Sequence, residues 1–431
     1  MRKLILLLVV FDIVYTSGFT QSLAVSNKTK PTLVEATPSS AGYSLERLKR
    51  IDQTIQEYVD KKWIAGATAI IVHDGKIVYY KGIGYDDIEK KTPLKRDAIF
   101  RIASQTKAIT STAVMILYEE GKFLLDDPIS KYIPEFAKPK VVDKFNEADS
   151  SYTTIPAKRE ITIRDLLTHT SGIDYAGIGS KTMRAIYAKS GIPSGLDAKD
   201  KTLGPEIKKL GSLPLVHQPG EKWTYGLNTD VLGYLVEVIS GMTLNEFFAK
   251  RIFEPLGMKD TYFYLPQVKY NRLATLYTED SLKHLTKAPE PGNGIRINYP
   301  NTKGTYYSGG GGLSSTMYDY AIFMQMFLNG GEYNGKRILS RNTVRMMTMN
   351  QIGDLNMGDG KFGLGFGITT ERGSSRFPVN QGTFDWGGYF GTSYWADPKE
   401  NIVALFMTQQ VPNSHGDLGN KFKVLVYQAL E

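Results

Sequence analysis

From Ser44 onward the chain keeps two rhythms. In "YSLERLKRIDQTIQEYVDKKW", Leu45, Leu48, Ile51, Ile55 and Val59 recur at three- and four-residue intervals behind a serine suited to cap a first turn, which predicts an amphipathic helix. The period then changes. "GATAIIVHDGKIVYYKGIGY" holds two β-rich runs either side of Asp74-Gly75, the two-residue signal of a hairpin. The far end repeats the pair of rhythms, with two strand-like runs around Asp397-Pro398 in "GTSYWADPKENIVALFMTQ" and a closing helix in "GNKFKVLVYQALE". Between about Ser104 and Pro300, helical patterns and long loops dominate and no internal repeat occurs. The pattern predicts an α/β (α+β) fold: an antiparallel sheet built from both chain ends, flanked by helices, with a mainly helical domain inserted. The expected bounds are 43–110 and 300–431 for the sheet domain and 111–299 for the insertion.

The first residues follow neither rhythm. Arg2 and Lys3 precede an apolar run that ends in small residues, the layout of a secretory signal peptide over 1–22. A polar, proline-containing stretch over 23–42 reads as a linker, so folded structure is expected from about Ser44. The apolar run is short for a membrane span, and no other segment resembles one. An exported protein, periplasmic or secreted, is expected.

Composition narrows the chemistry. The 431 residues contain no cysteine, which excludes disulfides, thiolate metal sites and a cysteine nucleophile. The net charge of +8 is spread along the chain among acids, without a basic arm or a nucleic-acid module, so no nucleic-acid partner is expected. The five histidines show no pairing at metal-ligand spacing, and no metal or organic cofactor is expected. No Gly-x-Ser-x-Gly elbow is present, which removes the α/β-hydrolase reading of His169 and His217 as bases; His169 reads as structural. "SGGGGLSS" lacks the ending of a phosphate loop and reads as backbone that packs closely, and "YDYAIFMQMF" as the inner face of a helix.

One stretch carries a candidate nucleophile. "FRIASQTKAITSTAVMILYEEGKF" sets Ser104 three residues before Lys107 at the start of a helix expected to run to Glu120, with Gly121 just past its end. Residues i and i+3 share a helix face, so the hydroxyl and the amine could meet. A serine needs a base to take its proton, and a lysine serves once burial or a neighbouring cation lowers its pKa. Backbone N–H groups at the helix start could face a developing oxyanion. Serine is also a favoured N-cap, and Ser-x-x-Lys arises by chance about once or twice in a chain this long, so the motif alone leaves both readings open.

Further blocks tip the balance. With "FRIASQTKAIT", the stretches "ITIRDLLTHTSGI", "PGEKWTYGLNTDVLGYLVEVISGM", "YSGGGGLSSTMYDYAIF" and "DWGGYFGTSYWADPKENIVALFMTQ" resemble, in order, the serine β-lactamase and penicillin-binding-protein superfamily. The likeness is nearest its class C-like branch and that branch's esterases. It implies the β-lactamase/transpeptidase-like fold and an acyl-enzyme on Ser104, with Lys107 as partner and Tyr225 relaying protons. A phenol beside an ammonium ionises more readily, which suits that relay. The family's tyrosine is followed two residues later by asparagine; here Leu227 stands there and Asn228 comes one place late, both expected near substrate. The family's cationic strand motif is replaced by Trp386-Gly387-Gly388. The resemblance implies an oxyanion hole from the N–H groups of Ser104 and Tyr389, with Trp386 as an aromatic wall where a lysine would hold a substrate carboxylate. A small or short-chain ester is the expected substrate. β-Lactam or D-alanyl peptide cleavage is the rival within the family, and a non-catalytic binding or sensor module the rival outside it.

Overall fold

The computed structural model describes residues 31–196, 198, 200–291 and 296–431; the expected signal peptide, and the first part of the expected linker, lie outside them. Its centre is a nine-stranded sheet. In spatial order the strands are Val34–Glu35, Lys76–Asp87, Gly66–His73, Ile402–Met407, Thr392–Asp397, Phe384–Gly388, Gly367–Thr369 and Gly360–Phe362, with Thr92–Pro93 paired to Lys76–Asp87. The two terminal hairpins therefore meet at the middle, where Gly66–His73 runs antiparallel to Ile402–Met407. The strand Gly66–His73 is buried along nearly its whole length, which is why "GATAIIVH" reads as a continuous apolar run.

Its side chains alternate between two cores. Ala67, Ala69 and Ile71 face the opening helix Leu45–Asp60 and the closing helix Leu418–Gln428, together with Trp395 and Phe406. Ile70 and Val72 face the larger cluster, which holds the helices Thr106–Glu119 and Met317–Leu328 and continues through the helical region. Helix Thr106–Glu119 is buried from Thr106 to Leu117, so apart from Lys107 this stretch is small or apolar all round. The expected boundary between 110 and 111 falls inside this helix.

Three expectations need correction. The sheet is mixed, because Val34–Glu35 pairs parallel to Lys76–Ile77. That strand belongs to the stretch expected to be a linker. Residues 31–42 are docked instead: Leu33 is buried, its N–H donates to Tyr333 Oη at 3.0 Å, and Asn329 Nδ2 donates to the Pro31 carbonyl at 2.9 Å. Folded structure thus starts ahead of Ser44. In the opening helix Ser44 caps as expected, accepting from the Arg47 N–H at 3.4 Å, but Leu45 is 60% exposed while Leu48, Ile51, Ile55 and Val59 are buried. A residue at the first helical position precedes the turn that docks on the sheet.

Between the sheet's two halves lie the short helices Ile163–Leu167, Lys181–Lys189 and Leu203–Gly211, the helix Asn228–Ser240 and a pair of hairpins, Lys140–Phe145 with Tyr152–Pro156 and Tyr277–Glu279 with Leu285–Lys287. Asn228–Ser240 packs against Thr106–Glu119 and brings the "TYGLNTD" segment to the start of that helix. No single helix among the described residues is long and apolar enough to cross a membrane.

Candidate active site

Ser104 stands in a 3-10 turn, Ala103–Gln105, between the short strand Ile99–Arg101 and helix Thr106–Glu119, rather than at an N-cap. The backbone of Ala103 has φ +40, a left-handed conformation that costs a non-glycine residue energy and is held by the surroundings. Those surroundings are specific. Strand Ile99–Arg101 pairs with Ser314–Thr316, the Ile102 N–H donates to the Leu313 carbonyl at 3.1 Å, and the Leu313 N–H donates to Thr106 Oγ1 at 3.1 Å. Arg101, fully buried, anchors the strand by donating to the carbonyls of Ile297 at 2.6 Å and Ala274 at 2.8 Å.

Lys107 is buried and its ammonium has three partners. Nζ donates to Gly310 O at 2.7 Å, to Tyr175 Oη at 2.8 Å and to Ser104 Oγ at 3.3 Å. Burial disfavours its charge, yet the phenols of Tyr175 and Tyr225 outweigh that and hold its pKa above the ordinary lysine value. The sign is opposite to the lowered pKa expected from the sequence, because both phenols arrive from elsewhere in the chain. Lys107 is therefore a cation in the resting site.

The glycine loop Ser308–Leu313 explains its own composition. A Cβ on Gly309 would sit 2.5 Å from the Thr229 carbonyl, and one on Gly310 would sit 2.3 Å from Asp230 Oδ2, so only glycine lets this loop lie between two helices. Thr110 Oγ1 donates to Gly309 O at 2.7 Å. Buried Asp230 accepts from Ser308 Oγ at 2.6 Å and from the Gly310 N–H at 3.3 Å. Burial raises its pKa; the Ser308 hydrogen bond and the Lys107 charge oppose the rise.

Tyr225 approaches from the opposite side. Lys107 Nζ lies 4.7 Å from its ring centroid, and its Oη accepts from Trp386 Nε1 at 3.2 Å. The ring rests in an aromatic cluster with Trp223, Tyr175, His169 and Trp386. His169 is buried with φ +58, and its Nδ1 accepts from Asn228 Nδ2 at 2.9 Å and from the Gly226 N–H at 3.4 Å. Burial and the Lys107 charge push its pKa well below the ordinary value, so it is neutral and supports the turn that carries Tyr225.

On the third side the strand Phe384–Gly388 presses its end against the turn that carries Ser104. A Cβ at Gly388 would lie 2.4 Å from the Ile102 carbonyl and 2.3 Å from Thr392 Oγ1. Ser104, Tyr225, Trp386, Gly387, Gly388 and Tyr389 all line one cleft of about 700 Å3. Leu227 and Asn228 do not. Leu227 is 2% exposed, and Asn228 is fully buried, its amide taken up by His169 and by the Ser171 hydroxyl. The one-place delay of the asparagine turns it into the core behind the cleft.

Two residues of the site lay hidden in the sequence. Tyr175 is one of 26 tyrosines with no motif of its own, and Asp230 is marked only by its position in the "YGLNTD" block. Tyr175→Phe removes one of the phenols that hold the Lys107 pKa up, so that pKa falls. The alkaline limb of the kcat/KM profile is then expected to move to lower pH, with roughly tenfold lower kcat and little change in KM. A profile that does not move would reduce Tyr175 to packing.

Comparison with known proteins identifies the family. The family model described as Beta-lactamase matches residues 51–428. A Mycobacterium tuberculosis protein is 36% identical over 380 residues, covering 84% of this chain and 89% of that protein. Esterase EstB of Burkholderia gladioli is 29% identical over 377 residues, covering 83% and 89%. Among solved structures, EstCE1, described as a hydrolase with promiscuous acyltransferase activity, superposes with a TM-score of 0.75 at 27% identity, covering 89% of this chain and 99% of that one.

Proposed function

Since the chain belongs to the beta-lactamase family of serine hydrolases, we propose that it is an exported carboxylesterase working through an acyl-enzyme on Ser104. Ser104 Oγ attacks the ester carbonyl carbon, and the Lys107–Tyr225 pair, in its singly deprotonated form, takes the hydroxyl proton and passes it to the departing alcohol oxygen. Water then repeats the sequence on the acyl-enzyme and releases the acid. The N–H groups of Ser104 and Tyr389 are the oxyanion donors in this reading. Small esters, rather than nucleic acid, are the substrates. The leader-like pattern behind Arg2 and Lys3 supports export.

The observation that favours an ester over a β-lactam or a peptide is Trp386 and its bond to Tyr225 Oη. A substrate carboxylate needs a cation at this wall, and an indole offers an apolar face. The one lysine lining the cleft among the described residues, Lys423, is paired with Asp385 at 3.4 Å. The test is a paired kcat/KM determination on a short-chain p-nitrophenyl ester and a chromogenic cephalosporin. The ester is expected to be turned over at least a hundredfold better; cephalosporin cleavage at equal or higher efficiency would overturn the preference.

A further inference from the structure

Two exposed apolar side chains stand over the nucleophile and take no part in the chemistry above. Ile178 is 61% exposed and Tyr389 41%. With Ser104 they are shared by two adjoining hollows, the cleft of about 700 Å3 and a second of about 450 Å3. The second is lined by Ala103, Tyr175, Leu196, Gly310 and Gly311 among others. Ser104 thus sits on the divide between two lobes.

The loop that carries Ile178 is built to hold it there. Asp174 Oδ1 accepts from the Tyr175 N–H at 2.7 Å and Oδ2 from the Ser180 N–H at 2.9 Å, closing the segment on itself. A Cβ at Gly179 would lie 2.4 Å from Asp174 Oδ1, so the closure demands glycine. One tied loop therefore sends Tyr175 inward to Lys107 and leaves Ile178 at the mouth. Leu196 forms the facing wall, packed against the small cluster of Ala103, Leu276, Ile297 and Phe390. Its Cδ2 would be 3.3 Å from a Cβ on Gly311, and the glycine keeps the lobe open beside it.

The proton relay decides which part of an ester enters which lobe. A departing alcohol must lie on the side of the group that protonates it, and Tyr225 lines the larger lobe alone. The acyl group then has the smaller lobe. Resting on the esterase reading, we propose that Leu196 and Ile178 determine acyl specificity, enclosing an unbranched apolar acyl chain in the smaller lobe while the larger lobe takes the alcohol.

The experiment compares p-nitrophenyl acetate and hexanoate in the wild-type protein, Leu196→Trp and Ile178→Asp, with the intact site in each counted by fluorophosphonate titration. Each methylene buried is worth about fourfold, so the wild-type protein is expected to prefer hexanoate. Leu196→Trp fills the lobe and is expected to lower the hexanoate-to-acetate ratio of kcat/KM at least tenfold. Ile178→Asp sets a carboxylate at the mouth and is expected to lower it severalfold. The ratio between p-nitrophenyl and naphthyl acetate, which differ only in the alcohol, is expected to stay within twofold in Leu196→Trp. Unchanged acyl ratios in both variants, or a Leu196→Trp effect on the alcohol ratio instead, would overturn the assignment alone. Absence of any Ser104-dependent ester turnover would overturn the esterase reading and the assignment with it.

Discussion

Ser104→Ala is expected to lower kcat/KM toward a p-nitrophenyl ester by at least about 10⁴-fold while leaving the fold intact. The size follows from covalent catalysis: without a nucleophile, only the oxyanion donors and binding remain. The fold should survive because the Ser104 hydroxyl contributes little to it, its hydrogen bond from Lys107 being the longest of that lysine's three at 3.3 Å. Alanine keeps the backbone N–H and suits a 3-10 turn. Thermal unfolding is expected within a few degrees of wild type, and labelling by a fluorophosphonate should vanish. Wild-type-like turnover in this variant would sink the assignment of the nucleophile.

Lys107→Met should cost nearly as much, about 10³-fold in kcat with KM changed only a few-fold, because in the proposed mechanism the lysine acts on the proton rather than on substrate binding. Two opposing effects bear on stability. The Tyr175 hydroxyl and the Gly310 carbonyl lose a charged donor, at about 1–3 kcal/mol for each buried group left unsatisfied. A buried ammonium is removed as well, and methionine fills a similar volume, which offsets part of the loss. Lys107→Arg is expected to rescue little, since a forked guanidinium does not fit where a compact ammonium meets three acceptors. Single-turnover kinetics provide the check. Acylation as fast as wild type in Lys107→Met would mean that the serine is activated by another group.

What the sequence disclosed and what it hid divide along a physical line. Local signals were legible. Asp74-Gly75 announced a hairpin because both residues adopt positive φ, +51 and +77, which few other pairs tolerate. The turn at Asp397 was marked too, and its carboxylate accepts from the N–H groups of Lys399 at 3.0 Å and Glu400 at 3.3 Å. Ser44 and the apolar spacing behind it gave the opening helix, apart from Leu45. Relations between distant parts were not legible. Val34–Glu35 joins the sheet through backbone hydrogen bonds, which leave no trace in a polar, proline-bearing stretch. The sign of the Lys107 shift depends on two phenols brought in by the fold, and the inward turn of Asn228 on a histidine 59 positions away. Ordered blocks supplied by family resemblance placed Tyr225 and Trp386; periodicity alone would have left them among the core aromatics.

The seam between the two halves of the sheet has a bearing on when the protein can work. Gly66–His73 pairs with Ile402–Met407, and Gly388 rests on the carbonyl of Ile102 just before the serine. A growing polypeptide therefore carries Ser104, the proposed nucleophile, long before the strand that faces it has been synthesised. Pairing of such remote segments is slow, because loop closure must precede any gain from contact. Until then the N-terminal hairpin presents an open edge, a hazard for self-association during biogenesis. A proteolytic nick within Phe384–Met407 is likewise expected to disarm the proposed nucleophile without touching it, which would make turnover a property of the finished chain.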